Sequence, residues 1–255
     1  MTQRFAFFCE YNGAGFNGWQ LQAPEKAPVT VQSVLESAFR QFLHDPDFRI
    51  HGSGRTDTGV HATGQCFHAD LPEGTDTGRL IRGINGIAGD HPVAIWEARP
   101  VRPDFHARFS ATSRLYHYTL NTRPSPLNRH KEWFYPYPLK PDQLREMASL
   151  IRQATDFSSF CRAADEADHK RCRILECDWK TEDSRLIFSI RANRFLYGMV
   201  RALVGTQLDL IRRGEHPESL SKLLDARNRQ AAGPAAKAHG LTLVEVTYPA
   251  ECFLS

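Results

Sequence analysis

The chain has 255 residues, a formal net charge of +3, and apolar and charged fractions of 41% and 24%. That length buries a large core as one bilobal domain or two small ones, and that balance belongs to a soluble globular protein. No apolar run is long enough to span a bilayer and no leader pattern opens the chain, so a cytoplasmic protein with no membrane partner is expected.

Taken in order, Arg4 to Tyr11 is a short aromatic run read as a buried strand, ending in a Gly-rich loop from Tyr11 to Gln20. No helix follows that loop directly, so it is not a dinucleotide fingerprint. Trp19 in it reads as a packing residue. Thr30 then reads as an N-cap, and Val31, Val34, Leu35, Ala38, Phe39, Phe42 and Leu43 follow at helical spacing as far as Asp45-Pro46. A strand around Gln65 to Leu71, a helix near Arg79 to Ile87 and a strand around Val93 to Ala98 complete the first half.

In the second half, Ser113 to Leu120 alternates as a strand, with Tyr116, Tyr118 and Leu120 on one face. A proline-rich connection spans Arg123 to Pro141. Helices are expected around Leu144 to Ala154, from Phe195 to Arg213 and from Pro217 to Ala226. A hairpin is expected to turn at Glu182-Asp183-Ser184, and Leu241 to Tyr248 is the last strand. Each half repeats strand, helix, strands, helix, strand. This predicts an α+β fold of two similar lobes, 1–104 and 105–255, sharing a mostly antiparallel sheet with the active loop facing a central cleft.

That loop is Gly54 to Gln65, which holds three glycines, three threonines, Arg55, Asp57 and His61 in twelve residues. Glycine tolerates positive φ, and Thr and Asp compete for local backbone bonds, so a tight turn presenting Asp57 is expected. Thr-Asp-Thr-Gly recurs at Thr75 to Gly78, where the helical spacing after it marks a helix N-cap. Two Asp-Thr-Gly triplets invite an aspartic protease. Their 19-residue separation, polar flanks and helix-rich setting oppose it.

Net charge is too small to announce a nucleic-acid partner, but 25 arginines against 7 lysines favour guanidinium groups that grip phosphate and stack on bases. The six cysteines form no Cys-x-x-Cys pair. They read as buried reduced thiols, in preference to a zinc site at Cys172, Cys177 and His169.

Gly-Arg-Thr-Asp-Thr-Gly-Val-His-Ala (Gly54 to Ala62) resembles the catalytic motif of the TruA-type tRNA pseudouridine synthases, with Thr58 where the family usually has Ala. The resemblance runs through nearly the whole chain. Tyr11 to Gln20 is similar to the family's Tyr-Asp-Gly segment, with Asn12 replacing the Asp. Phe105 to Phe109, Arg114 to Tyr118, Asp156 to Phe160, Met199 to Arg201 with Gly205, and Gly240 to Pro249 match later motifs.

The resemblance implies the pseudouridine synthase fold and isomerisation of uridine in the anticodon stem-loop of tRNA, around positions 38 to 40. It implies a homodimer. The reaction breaks the bond from uracil nitrogen to the ribose, turns the base and rejoins it through carbon 5, so no cofactor and no metal are expected. It needs an ionised carboxylate, a cation to keep that carboxylate charged once water is excluded, and an aromatic face for the extruded base. By resemblance these are Asp57, Arg201 and Tyr116. Arg201 also stands out by itself, because it interrupts the apolar residues of its helix. Arg55, Arg114 and His61 fall to substrate binding, with no proton transfer assigned to His61. The rival reading is an RNA-binding module without catalysis.

Overall fold

The computed structural model describes residues 1–22, 28–161 and 169–254. The chain divides into two compact units, Met1–Thr112 with Leu243–Ser255, and Ser113–Thr242. The fold is α+β and its strands pair mostly antiparallel, as the order of elements predicts.

In the first unit, β1 (Thr2–Tyr11) lies between β3 (His61–Pro72) and β4 (Val93–Pro100), antiparallel to both. The two-residue strand β2 (His51–Gly52) pairs with β3 just ahead of the candidate loop. The C-terminal strand β9 (Leu241–Thr247) lies beside β3, and Thr63 Oγ1 donates to the Val244 carbonyl at 3.4 Å. Helices α1 (Val31–Leu43) and α2 (Thr77–Ala88) follow the apolar spacing that predicts them. Thr30 caps α1 as expected: its hydroxyl accepts from Ser33 N at 3.1 Å, and Ser33 Oγ accepts from Thr30 N at 3.0 Å. The core is aromatic. Phe7 stacks on Phe67 with centroids 5.0 Å apart and meets Phe39 edge-on at 5.4 Å. Each of these rings is fully buried, and burial of each contributes roughly 2–3 kcal/mol.

In the second unit, β8 (Arg185–Ala192) lies between β5 (Ser113–Asn121) and β7 (Ile174–Glu182), antiparallel to both. The short strand β6 (Trp133–Phe134) runs parallel to β5. The β7–β8 hairpin turns where the sequence marks it, with Asp183 at φ 51°. Helices α3 (Pro141–Gln153), α4 (Met199–Arg212) and α5 (Glu218–Ala226) complete the unit. Helix α4 is buried almost all round, and Gln207 on it accepts from Trp179 Nε1 at 2.9 Å.

Apolar spacing carries the expected start of α4 back to Phe195, but the helix begins at Met199. Gly198 takes φ 75°, outside the helical region, and Met199 N bonds Leu196 O at 3.1 Å. Leu196 is buried, so its hydrophobicity serves a turn before the helix. Periodicity cannot separate that from another helical turn.

Candidate active site

Asp57 opens a four-residue turn in which Val60 N bonds the Asp57 carbonyl at 3.1 Å and Gly59 takes φ 80°. Positive φ at the third position is why the motif has glycine there. Asp57 itself is half-buried, while Arg55 and Thr58 are exposed. The carboxylate therefore sits on a defined backbone.

The Gly-rich loop after β1 braces this turn from outside. Trp19 N donates to Thr56 O at 3.1 Å, and Gly18 adopts φ 89°. A Cβ built on Gly18 would lie 2.7 Å from Thr56 O and 3.3 Å from Thr58 N, so only glycine permits that approach. One built on Gly13 would lie 2.1 Å from Val60 O. Trp19 is 1% exposed and packs its ring near Tyr11 and Phe67. It belongs to the core, as its sequence setting suggests.

From inside, Gln65 on β3 ties the loop's start to the sheet. Its Oε1 accepts from Ser53 Oγ at 2.6 Å and from Cys66 N at 3.1 Å. Its Nε2 donates to Gly54 O at 3.2 Å and to the Tyr11 hydroxyl at 3.4 Å. The Tyr11 hydroxyl in turn shares a 2.8 Å hydrogen bond with Thr56 Oγ1. The fully buried amide thus uses both lone pairs and both hydrogens. A satisfied buried network of this kind rigidifies what it touches.

His61 is buried, and its Nδ1 accepts from Gly13 N at 3.0 Å. An accepting Nδ1 fixes the neutral Nε2–H tautomer. This geometry makes His61 a clasp between the Asp57 loop and the Gly-rich loop. Asp57, Arg55 and His61 are thus gathered on one short stretch of the first unit. The supporting Tyr11, Gly13, Gly18, Ser53 and Gln65 carry no chemical signature of their own. The one available signal was a Gly-rich loop with no helix after it.

The second copy of the tetrapeptide is what its sequence setting predicts. Asp76 caps α2, accepting from Arg79 N at 2.9 Å. That backbone bond leads the causes that hold its carboxyl below the usual range.

The remaining candidates lie in the second unit. Tyr116 on β5 stands opposite Ile190 of β8, and its half-buried ring meets Phe195 edge-on at 5.0 Å. Tyr118 and Leu120 on the same face are fully buried, so that face opens at Tyr116. Arg114 donates from Nη1 to Asn193 O at 2.9 Å. Arg201 lies in the first turn of α4, where Nε donates to Ala236 O at 2.8 Å and its own carbonyl accepts from Ala236 N at 2.9 Å. A cation there opposes the helix dipole, and its neighbours Met199, Val200, Ala202 and Leu203 are buried.

Among the described residues, no group of three or more His, Cys, Asp or Glu is placed to hold a metal. Four of the cysteines are buried thiols and two are half-buried. Burial pushes the Cys66 thiol up to about 12. No helix among the described residues is long and apolar enough to cross a membrane.

A mostly antiparallel α+β fold with an aspartate on a braced loop defines a class that comparison with known proteins makes specific. The family model described as tRNA pseudouridine synthase matches residues 8–116 and 154–249. The tRNA pseudouridine synthase A of Bacillus pumilus is 38% identical over 242 residues, 93% of this chain and 96% of that protein. That of Bacteroides fragilis is 34% identical over 254 residues, covering 99% of each. That of Cereibacter sphaeroides is 38% identical over 257 residues, 98% of this chain and 99% of its own. The chain belongs to the tRNA pseudouridine synthase family, whose members are isomerases.

Proposed function

We propose that this chain isomerises uridine to pseudouridine in the anticodon stem-loop of tRNA, at positions 38 to 40, as a homodimer in the cytoplasm. The observation that carries the reading is the Asp57 loop. Its backbone is held by Trp19 N, its flank by the Gln65 network, and its exit by the His61–Gly13 bond, within a family match over most of the chain.

In this reading Asp57 is the attacking or proton-accepting carboxylate. The glycosidic bond from uracil nitrogen to the anomeric carbon breaks and a bond from carbon 5 replaces it; carbon 5 gives up its proton and the freed nitrogen takes one up, so no atom is gained or lost. Tyr116 supplies the partly open aromatic face for the extruded base. Arg201 supplies the cation for Asp57. A half-buried guanidinium in the first turn of a buried helix has an electrostatic need for a carboxylate, which supports that assignment. Arg55 and Arg114 serve RNA phosphate, and His61 supports substrate binding by holding the loop.

The test is incubation with unmodified tRNA followed by carbodiimide-blocked primer extension, with stops expected one nucleotide 3′ of modified positions 38 to 40. RNA binding without stops would favour a non-catalytic module. For the Asp57–Arg201 pair, a crystal structure with the guanidinium well beyond about 4 Å from the carboxylate would refute the pairing. Light scattering gives the mass of the assembly.

A further inference from the structure

The second unit holds a cavity of about 420 Å³ formed by the proline-rich connection and the segment before β9. Four of its lining residues are basic or imidazole groups: Arg123, Arg129, Lys237 and His239. The one carboxylate among its described lining residues, Glu132, is already engaged. Arg185 meets its Oε1 at 2.7 Å and Asn121 donates to its Oε2 at 2.6 Å. Its charge is therefore committed to Arg185, away from the lining cations Arg123, Arg129 and Lys237. Arg129 Nε donates to the neighbouring ring, at His130 Nε2, 2.9 Å away. Lys237 lies over the Trp133 ring, with Nζ 5.8 Å from its centroid.

Arg123, Arg129 and Lys237 are exposed and bring positive charge to one concave surface, which suits an anion. Burial first, then the positive charge of Lys237 and His130, holds the His239 imidazole below its ordinary range. The wall is also rigid. The Lys237 carbonyl accepts from the buried Tyr118 hydroxyl at 2.7 Å, and Ala236 is the residue that holds Arg201 by two backbone contacts. A ligand here meets a surface fixed relative to Arg201.

We infer that this cavity is a phosphate subsite for the RNA substrate, in which Arg123, Arg129 and Lys237 grip a backbone phosphate remote from the reacting uridine. Two arginines on one connection present forks suited to phosphate oxygens. The flat ring of Trp133 beneath Lys237 suits an adjoining ribose or base. The inference rests on tRNA being the substrate, which primer extension on the unaltered protein tests separately.

Two arms distinguish an RNA phosphate from a free one. In the first, filter retention of unmodified tRNA is followed across a salt series for the protein and for R123A/R129A. The double variant should bind about tenfold more weakly at low salt, with a log–log salt slope shallower by about 1 to 2 units. The reference is R152A/K222A, which removes two positive charges from the exposed faces of α3 and α5. Equal losses in both doubles would mean net charge alone and would overturn the inference. So would an R123A/R129A protein that binds tRNA normally, or one whose only change is its assembled mass. In the second arm, inorganic phosphate and ATP are titrated calorimetrically at constant ionic strength, and no saturation is expected at millimolar concentration. Saturable ATP binding that R123A/R129A abolishes, with tRNA affinity intact, would assign the cavity to a free nucleotide instead.

Discussion

Thr-Asp-Thr-Gly occurs twice in the first unit, and the two copies do opposite things. Around Asp57 the tetrapeptide forms a turn closed by Val60 N on Asp57 O, with Gly59 at φ 80°. Around Asp76 it runs into a helix, the aspartate accepts from Arg79 N at 2.9 Å, and its glycine, Gly78, is the second residue of α2. Asp76 spends its carboxylate on the backbone of its own helix. Around Asp57, Gly13, Gly18, Tyr11, His61 and Gln65 hold the chain on either side. The two copies thus differ in their braces: residues distant in sequence hold the chain around Asp57, while Asp76 bonds the first turn of its own helix.

The largest expected contrast is in activity. Asp57→Asn keeps the shape of the turn and should lower single-turnover pseudouridine formation by at least about 10³-fold. Retention of tRNA on filters should change less than about threefold, because affinity rests on distributed phosphate contacts. If Asp57→Asn turns over normally while Asp76→Asn is dead, the roles assigned to the two copies are reversed.

What could be read from sequence follows the range of the interaction. The Asp76 cap, the Thr30 cap of α1 and the Asp183 hairpin are all fixed by residues within a few positions, and local pattern marks them. Asp57 stands out in the sequence only because its flanks resemble a family motif; Asp-Thr-Gly alone is ordinary turn chemistry. The braces were hidden because they join residues about forty positions apart, such as Gly18 with Thr56 and Gly13 with Val60. Glycine in a loop gives no hint of its distant partner. The return of Leu243–Ser255 to the first unit is a non-local strand pairing and leaves no trace in periodicity. Gly198 shows the reverse failure, where apolar spacing runs on through a residue at φ 75°.

Glycine substitutions sharpen the contrast next. Gly18 and Gly74 both adopt positive φ, 89° and 79°. At Gly18 an added Cβ would meet Thr56 O at 2.7 Å, whereas at Gly74, two residues before Asp76, it would meet nothing within 4 Å. Both alanine variants should lose roughly 1–3 kcal/mol from backbone strain alone. Only Gly18→Ala must also move the Asp57 loop, and a shift near 1 Å can cost about 10²-fold in rate. Chemical denaturation and single-turnover kinetics on the pair separate the two effects. Equal kinetics in both variants would mean that the brace does not position Asp57.

The inner brace should show mainly in stability. Gln65→Leu removes all four bonds of a fully buried amide, taking one acceptor each from Ser53 Oγ and Cys66 N and one donor from Gly54 O. A loss of about 2–4 kcal/mol is expected by denaturation, with a smaller fall in rate than for Gly18→Ala. Gln65→Glu keeps the acceptors but sets a fully buried carboxylate against Gly54 O, so its loss at neutral pH should equal or exceed that of Gln65→Leu. A Gln65→Leu protein as stable as wild type would remove the network from the account of the loop.

The smallest effect belongs to Asp76 and concerns its charge. Its carboxyl lies below the ordinary range chiefly because Arg79 N bonds the ionised form, so the unfolded chain takes up a proton at higher pH than the folded one. Stability from the charged cap is therefore fully present above the unfolded value, about 3.9, and is lost as pH falls through the folded value. Asp76→Asn keeps an oxygen to accept from Arg79 N but cannot ionise. Its melting temperature should lie below wild type by no more than about 3 °C at neutral pH. That gap should hold steady down to about pH 5 and close below about pH 4. Asp76→Ala, which loses the acceptor as well, should remain below wild type even in acid. Pseudouridine formation should be unchanged in both variants, since Asp76 serves only α2. A gap between wild type and Asp76→Asn that widens as pH falls would show the carboxylate acting on something other than its helix, and the comparison of the two copies would have to be redrawn.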